Sequence, residues 1–346
     1  MAPSPATRPA WLDEAWGITV LLIALSYSML PALLLDVVFI FTWPLAFFLA
    51  GLESRAEPRC PACFAWRRRA RRLLLPYIGW SLLAWGLWLA WRALGILETS
   101  TQASGLALLG TLYAAPRNAM LAHARPLWAL PALFLVQTLV HPLDANRWRA
   151  NGQIALIGSL WLLGWALEAA GLRALPWSLQ SLPTLGAFYL LGRGIANWQA
   201  LRISMPRLVA SLVQYAFAAI VFAAAAWNGR ADPALGEWGR SYPVFALGAL
   251  TGIGAAFARA QSVSGLRLAA WAGRHWIALL GGSYPAVLLV DAGVRACGAT
   301  CDIPAWGAAF VGLAEGILAL ALVSASVWLY ESRPWSMSRR PNLAFG

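Results

Sequence analysis

Phe64-Ala65-Trp66-Arg67-Arg68-Arg69-Ala70-Arg71-Arg72-Leu73-Leu74-Leu75-Pro76-Tyr77 is the stretch that decides how this chain reads. Five arginines stand in six positions, and the sequence then turns apolar at once. A basic block at the mouth of a membrane helix marks the cytoplasmic side. It also offers guanidinium groups to a phosphorylated ligand. Outward from the block, two apolar runs precede it and eight follow.

Composition agrees. The 346 residues are 60% hydrophobic and 12% charged, where soluble domains carry about 25% charged residues. All 26 basic residues are Arg, and the net charge is +12. In a soluble protein such a balance would suggest nucleic acid; in short loops between apolar runs it reads as topology, with no nucleic-acid partner. No cleavage site of the A-x-A type follows the polar, Pro-rich residues 1–15, so the first apolar run is expected to stay as an anchor.

A bilayer core takes about 20 apolar residues per helix. The expected fold is an all-α polytopic bundle of about ten transmembrane helices, at roughly 16–35, 37–52, 73–93, 127–143, 152–171, 179–195, 207–227, 242–260, 276–294 and 305–329. The second, fourth and sixth are short and interrupted by Pro44, Pro131 and Pro183. With the N-terminus inside, 19 of the 26 arginines fall on the inner segments. That asymmetry puts both termini in the cytoplasm. The organisation is then a cytoplasmic segment 1–15, one ten-span unit 16–329 and a cytoplasmic tail 330–346. The outer loop 94–126 is partly apolar and reads as a re-entrant or interfacial segment.

Four cysteines form two pairs. Cys60 and Cys63 are half a zinc site with no matching pair nearby, so no metal is expected. Cys297 and Cys301 would lie outside, where a bridge is possible.

Arg69 and Arg72, with Arg68 beside them, are three apart and would share a helical face able to grip phosphates. The plainer reading is a topology signal that attracts anionic lipid. Ionisable groups inside a bilayer are costly and therefore informative. Glu315 has no evident partner in sequence and reads equally as a proton carrier or a neutral hydrogen-bonded group. Asp291 has Arg295 four residues on, which suggests a simple i,i+4 pair. Asp36 falls between the first two spans and reads as solvated. His141 and His275 read as helix-end residues. Trp11, Trp43, Trp80, Trp177, Trp238 and Trp276 read as interfacial anchors.

The stretch Phe64–Tyr77 resembles the arginine-rich signature of acyltransferase family 3, ten-span membrane O-acyltransferases that modify bacterial envelope sugars. Other stretches are similar in order and spacing: Trp11–Gly17, Phe41–Gly51, Pro126-Leu-Trp-Ala-Leu-Pro131, Leu175-Pro-Trp177 through Gly192, and Ala272-Gly-Arg-His275. The resemblance covers nearly the whole chain. It implies transfer of an acyl group, acetyl first, from acyl-CoA to a hydroxyl of an envelope sugar or lipid-linked glycan at the bacterial inner membrane. It also implies that Arg69 and Arg72 serve the donor, Asp13 is the family's acidic position, and Trp128 belongs to the substrate site.

The departures matter. The first-helix His of the family is here Tyr27, and a second His position falls near Ser283. A phenol with pKa near 10 is a poor base at neutral pH but a good oxyanion donor. His123, in the outer loop, is the substitute base that an outer-face acceptor would meet. The catalytic set is therefore Tyr27, Asp13 and His123, with Arg68, Arg69 and Arg72 for the donor and Trp128 and Glu315 for the substrate. Two alternatives stand: a related chain that kept the fold and lost the chemistry, acting in glycan or lipid export or as a partner protein, or an unrelated permease.

Overall fold

The computed structural model describes residues 9–54, 62–96, 104–116, 120–140, 150–197, 207–262, 266–296 and 305–332. Among them every regular element is helical. In order they are α1 (Ala10–Leu25), α2 (Ala32–Ser54), α3 (Ala62–Arg69), a π turn (Ala70–Leu74), α4 (Leu75–Ala93), α5 (Ser104–Tyr113) and a 3-10 turn (Arg125–Trp128). Then come α6 (Ala129–Leu135), a second π turn (Val136–Val140), α7 (Ala150–Ala169), a 3-10 turn (Pro176–Ser181) and α8 (Leu182–Asn197). The chain continues with α9 (Arg207–Asn228), α10 (Tyr242–Ser262), α11 (Arg267–Arg274), α12 (Trp276–Ala296) and α13 (Ala305–Ser332). Cys60, Cys297, Cys301, His141 and the two terminal tails lie outside the described residues, as does the side chain of Cys63.

Seven helices among the described residues are long and apolar enough to cross a bilayer: α2, α3 to α4, α7, α9, α10, α12 and α13. Their outward faces are apolar, with Leu162 and Trp165 on α7, Leu212 and Phe222 on α9, and Ile317 and Trp328 on α13 all exposed. Water would oppose such a surface, and lipid accepts it. The chain is a multi-pass membrane protein. Three of the ten expected spans, α1, the Arg125–Val140 segment and α8, are shorter, at 16 residues each.

The first expected span is corrected. It does not run through 35: α1 ends at Leu25, a turn spans 26–31, and α2 starts after Pro31. Ser26 and Ser28 hydroxyls donate to the carbonyls of Ile23 (2.6 Å) and Leu25 (2.8 Å) at the helix end, and Pro31 cannot continue a helix. Asp36 thus sits within α2 rather than between spans, and Asp13 sits within α1 rather than before it. Nor do the prolines interrupt: α2 runs through Pro44, while Pro131 and Pro183 occupy first turns, where the missing N–H costs nothing. Trp43, Trp238 and Trp276 are buried rather than interfacial. Trp43 packs on Trp128 (centroids 4.9 Å apart) and Trp276 stacks on Trp16 (4.6 Å).

Close helix contacts rest on glycine. A Cβ on Gly17 would meet the Ala269 carbonyl, and one on Gly192 the Phe48 carbonyl. On α13, Gly312 and Gly316 flank Glu315 and admit the 26–31 turn, because Cβ atoms there would strike the Met29 carbonyl and the Leu25 side chain. This is small-residue packing of the kind membrane helices use.

The helix contacts define two poles. At one, the start of α1 meets the ends of α2 and α10 through Trp11, Phe48 and Phe257. Arg193 at the end of α8 donates to Ser54 (3.3 Å to its carbonyl), and Arg72 pairs with Glu53. This pole carries the arginine block. At the other pole, loops after α5, α7 and α9 are tied together. Tyr113 donates to the Ala174 carbonyl (2.7 Å), Ala174 N–H to Leu235 (2.9 Å), Trp177 Nε1 to Leu112 (2.9 Å) and Ser178 to Ala234 (2.9 Å). The five non-glycine residues with left-handed φ among the described residues, Ala114, Leu121, Ala174, Trp177 and Ser178, all lie here. Such strain gathers where surrounding contacts over-determine the backbone.

Candidate functional site

At the arginine pole, the block does not present one helical face. The π turn Ala70–Leu74 inserts an extra residue, so Arg69 and Arg72 diverge despite their spacing. Arg69 turns inward, only 8% exposed, and donates to the Gln137 carbonyl. Gln137 lies in the second π turn, where the wider i→i+5 pattern leaves carbonyls open to other donors. Two π turns therefore face each other across one buried guanidinium. Arg72 is 41% exposed and bonds Glu53 Oε2 at 3.1 Å. Arg67 and Arg71 are exposed and Arg68 half-buried, and none of the three has a hydrogen bond or ion pair to a described residue. The buried Gln137 Oε1 has no hydrogen-bond partner among the described residues. Asp13 belongs to this pole too, 3.9 Å from Arg274.

The middle of the bundle holds Tyr27. Its ring meets Phe39 (6.1 Å) and Tyr284 (5.3 Å) edge-on. Tyr284 stands eight residues past Trp276, about 12 Å along α12, so the 26–31 turn lies within the helical layer. Glu315, buried on α13, accepts the Met29 N–H at 3.1 Å. Its Oε1 has no hydrogen-bond partner among the described residues. The loop 229–241 reaches the same place: Arg230 stacks 4.1 Å over Phe39, and Asp232, Arg125 and Arg230 lie within electrostatic reach of Tyr27. A phenol there is a hydrogen-bond donor and not a base at neutral pH. Asp232 Oδ1 accepts the Ala234 N–H at 3.1 Å.

The expected catalytic set is thus divided. Asp13 is separated from Tyr27 by about 18 Å of α1 and cannot act on the same atom. His123 is fully buried, with Nε2 3.3 Å from the Thr111 hydroxyl and Nδ1 unbonded among the described residues. Desolvation lowers its pKa to about 4, which leaves it neutral. The segment between α4 and the Arg125–Trp128 turn, which bears it, contains α5, which folds back on α4 so that Tyr77 donates to the Thr111 carbonyl at 2.6 Å. Trp128 is packed in the core. The Asp291–Arg295 pair forms, at 2.8 Å. His275 caps α11 with Nδ1 2.8 Å from the Trp271 carbonyl.

Sequence reasoning missed Asp232, Arg230 and Gln137. Asp232 stands between α9 and α10 beside Pro233 and offers no local signal; only the fold brings it within electrostatic reach of Tyr27.

Two cavities bear on access. A small one of about 20 Å³, lined by Trp16, Ile23, Ala46, Leu133 and Trp276, lies between Gln137 and Tyr27. It is apolar throughout and admits at most one water. A groove of about 800 Å³ runs between α4, α12 and α13, lined by Trp80, Ala84, Gly282, Pro285 and Val323, with His275 at one end. Its rim residues Leu83 and Leu87 are exposed, so it faces lipid. No arginine of the block lines either cavity. No metal-binding group of His, Cys, Asp or Glu occurs among the described residues. The chain matches no protein-family model, no curated protein and no solved structure.

Proposed function

We propose that the chain is an acyl-CoA-dependent O-acyltransferase of the bacterial inner membrane, with ten spans and both termini cytoplasmic. The observation that carries the reading is the buried Arg69 held between two facing π turns, with Arg67, Arg68 and Arg71 outside it and unpaired among the described residues. π turns recur at functional sites. The outer three arginines take the phosphates of the donor, and Arg69 and Arg72 shape the mouth rather than clasp the ligand. Gln137 Oε1 receives an amide N–H of the pantetheine arm. The thioester then enters along the small apolar cavity, which widens by movement of α1 against α6.

Asp232 accepts the proton of the acceptor hydroxyl as its oxygen attacks the thioester carbonyl. The C–S bond breaks, CoA leaves as thiolate, and the proton passes to it. Tyr27 donates a hydrogen bond to the oxyanion in between. Acetyl is the expected group, and the lipid-facing groove suits the tail of a lipid-linked glycan acceptor.

The test is release of CoA thiol from acetyl-CoA by the purified protein. Asp232→Asn should lower it by about 100-fold or more with donor binding intact. Full activity in Asp232→Asn, or no binding of acetyl-CoA, refutes the reading. A second reading, export of a glycan or lipid without chemistry, is favoured by the short, 16-residue α1 and the polar turn that follows it, an arrangement that solute sites of transporters share. Donor binding with no thiol release under any acceptor would support it.

A further inference from the structure

We propose that the groove between α4, α12 and α13 is a phospholipid site. It takes one acyl chain of an anionic lipid from the leaflet at the arginine pole, with the phosphate over the start of α12. The inference rests on the membrane placement of these three helices and not on the acyltransferase reading; a lipid-linked acceptor would enter the same slot by displacing this lipid.

The groove has a floor, two walls and one polar end. Ala278, Gly282 and Ala286 recur every fourth residue on α12 and make the floor. Trp80 and Trp91 stand on the α4 side, Val323 and Val327 on the α13 side. A Cβ on Gly282 would lie 2.9 Å from Val323 and 3.7 Å from Trp80, so a side chain there would begin to fill the slot between its walls. From His275 to Leu289 the groove runs about 21 Å along α12, against about 30 Å of bilayer hydrocarbon. It follows spanning helices, so its long axis stands close to the membrane normal, as a lipid tail does.

Polarity is confined to the His275 end, apart from Ser326, whose hydroxyl donates to the Leu322 carbonyl at 2.8 Å. That end is the N-terminus of a 21-residue helix. The Trp276, Ile277 and Ala278 N–H groups have no partner among the described residues, and Ala278 lines the groove. Free N–H groups and the positive end of the helix dipole favour an anion there. The facing end of α11 does not cancel them, because the His275 N–H already takes its Trp271 and Ala272 carbonyls at 3.2 and 3.1 Å. Arg274, next in the chain to His275, adds a cation: it stands 3.9 Å from Asp13 and its side chain is 54% exposed. The same contact sets this end at the arginine pole. A groove for hydrocarbon and a start of helix for an anion are separate observations, and they meet at His275 and Ala278. An anionic phospholipid satisfies both. A zwitterionic one brings a cation to a positive place, and a free phosphate leaves the slot unfilled.

The full chain in detergent is titrated with phosphatidylglycerol or phosphatidylcholine, and bound lipid is counted by native mass spectrometry. One phosphatidylglycerol should stay bound at a collision energy that strips phosphatidylcholine. Ala278→Glu sets a carboxylate on the free N–H groups and stabilises the helix start, so the chain folds while phosphatidylglycerol affinity falls by about ten-fold. Ala286→Trp plugs the slot away from its polar end and should weaken binding as much. Leu162→Phe, on the exposed face of α7, is the control and should bind as wild type does. Phosphatidylglycerol with a photoreactive acyl chain should label α4, α12 or α13. Equal retention of the two lipids, wild-type affinity in Ala278→Glu, or label spread over α7 and α9 overturns the proposal. So does retention of a polyprenyl phosphate in place of phosphatidylglycerol, which would make the slot a tail site for lipid-linked glycans alone. Tight binding of glycerol phosphate would also overturn it, since the tail would then count for nothing. None of these results depends on acetyl-CoA, so they stand or fall apart from the acyltransferase reading.

Discussion

On the proposed reading Arg69 is a structural arginine beside three donor-binding arginines, and the two roles separate by measurement. Arg69→Ala removes a buried charged donor from the Gln137 carbonyl. A hydrogen bond to a charged group contributes about 1.5–3 kcal/mol. Truncating the buried stem adds a cavity cost, so a total near 3–4 kcal/mol is expected. Arg68→Gln removes a half-buried cation with no described partner and should change stability by less than about 0.5 kcal/mol. In donor binding the order reverses in kind. Arg67→Gln, Arg68→Gln and Arg71→Gln each lose one charge-assisted phosphate contact, worth roughly 1.4 kcal/mol or ten-fold in Kd. Denaturant titration of the detergent-purified protein reads the first effect, and calorimetry with acetyl-CoA reads the second. Wild-type stability in Arg69→Ala, or a triple Gln variant that binds the donor normally, would refute the division.

His123 sets a pH dependence. Its pKa falls from the ordinary histidine value to about 4 by desolvation. The unfolded chain therefore binds more protons between pH 6.5 and 4, and stability present above 6.5 is lost as pH falls through that window, by about 3 kcal/mol in all. His123→Phe should flatten the slope in acid denaturation; an unchanged slope would reject the assignment. Gly312→Val should prevent folding, since its Cβ would lie 2.2 Å from the Met29 carbonyl; normal yield and melting temperature would show that the turn can move. Ala46→Phe fills the small cavity between the poles. It should cost about 1–3 kcal/mol in stability and abolish thiol release while acetyl-CoA binding persists; release at the wild-type rate would place the acyl path elsewhere.

Apolar runs and the arginine block were legible because hydropathy and charge are local properties. The end of α1 was not. Leu25-Ser-Tyr-Ser-Met-Leu-Pro31 is apolar enough to pass for a continuous span, and its break depends on Gly312, Gly316 and Glu315 nearly three hundred residues away. Helical spacing put Arg69 and Arg72 on one face; a π turn, which has no reliable local signature, parted them. The tryptophans misled because an indole near a helix end suits the interface and the core equally. Tyr27 and Glu315 were singled out separately as oddities, and the fold brings both to the 26–31 turn. Asp13 and His123 were grouped with Tyr27 by expectation alone, and the length of α1 removes Asp13 from its company.

The tied loops have a bearing on biogenesis. Residues 112–113, 174–178 and 234–235 come from three distant parts of the chain, joined across separations of 65, 61 and 56 positions. The link from Ser178 to Ala234 cannot form until α9 has entered the bilayer and its following loop has emerged, whereas the two that join α5 to the loop after α7 need nothing beyond Trp177. A nascent chain halted before Gly229 would therefore hold α1 to α9 with the loop after α7 tied to α5 alone. Closure by the loop after α9 is thus the last fastening made there, and the length of chain it spans makes it expensive.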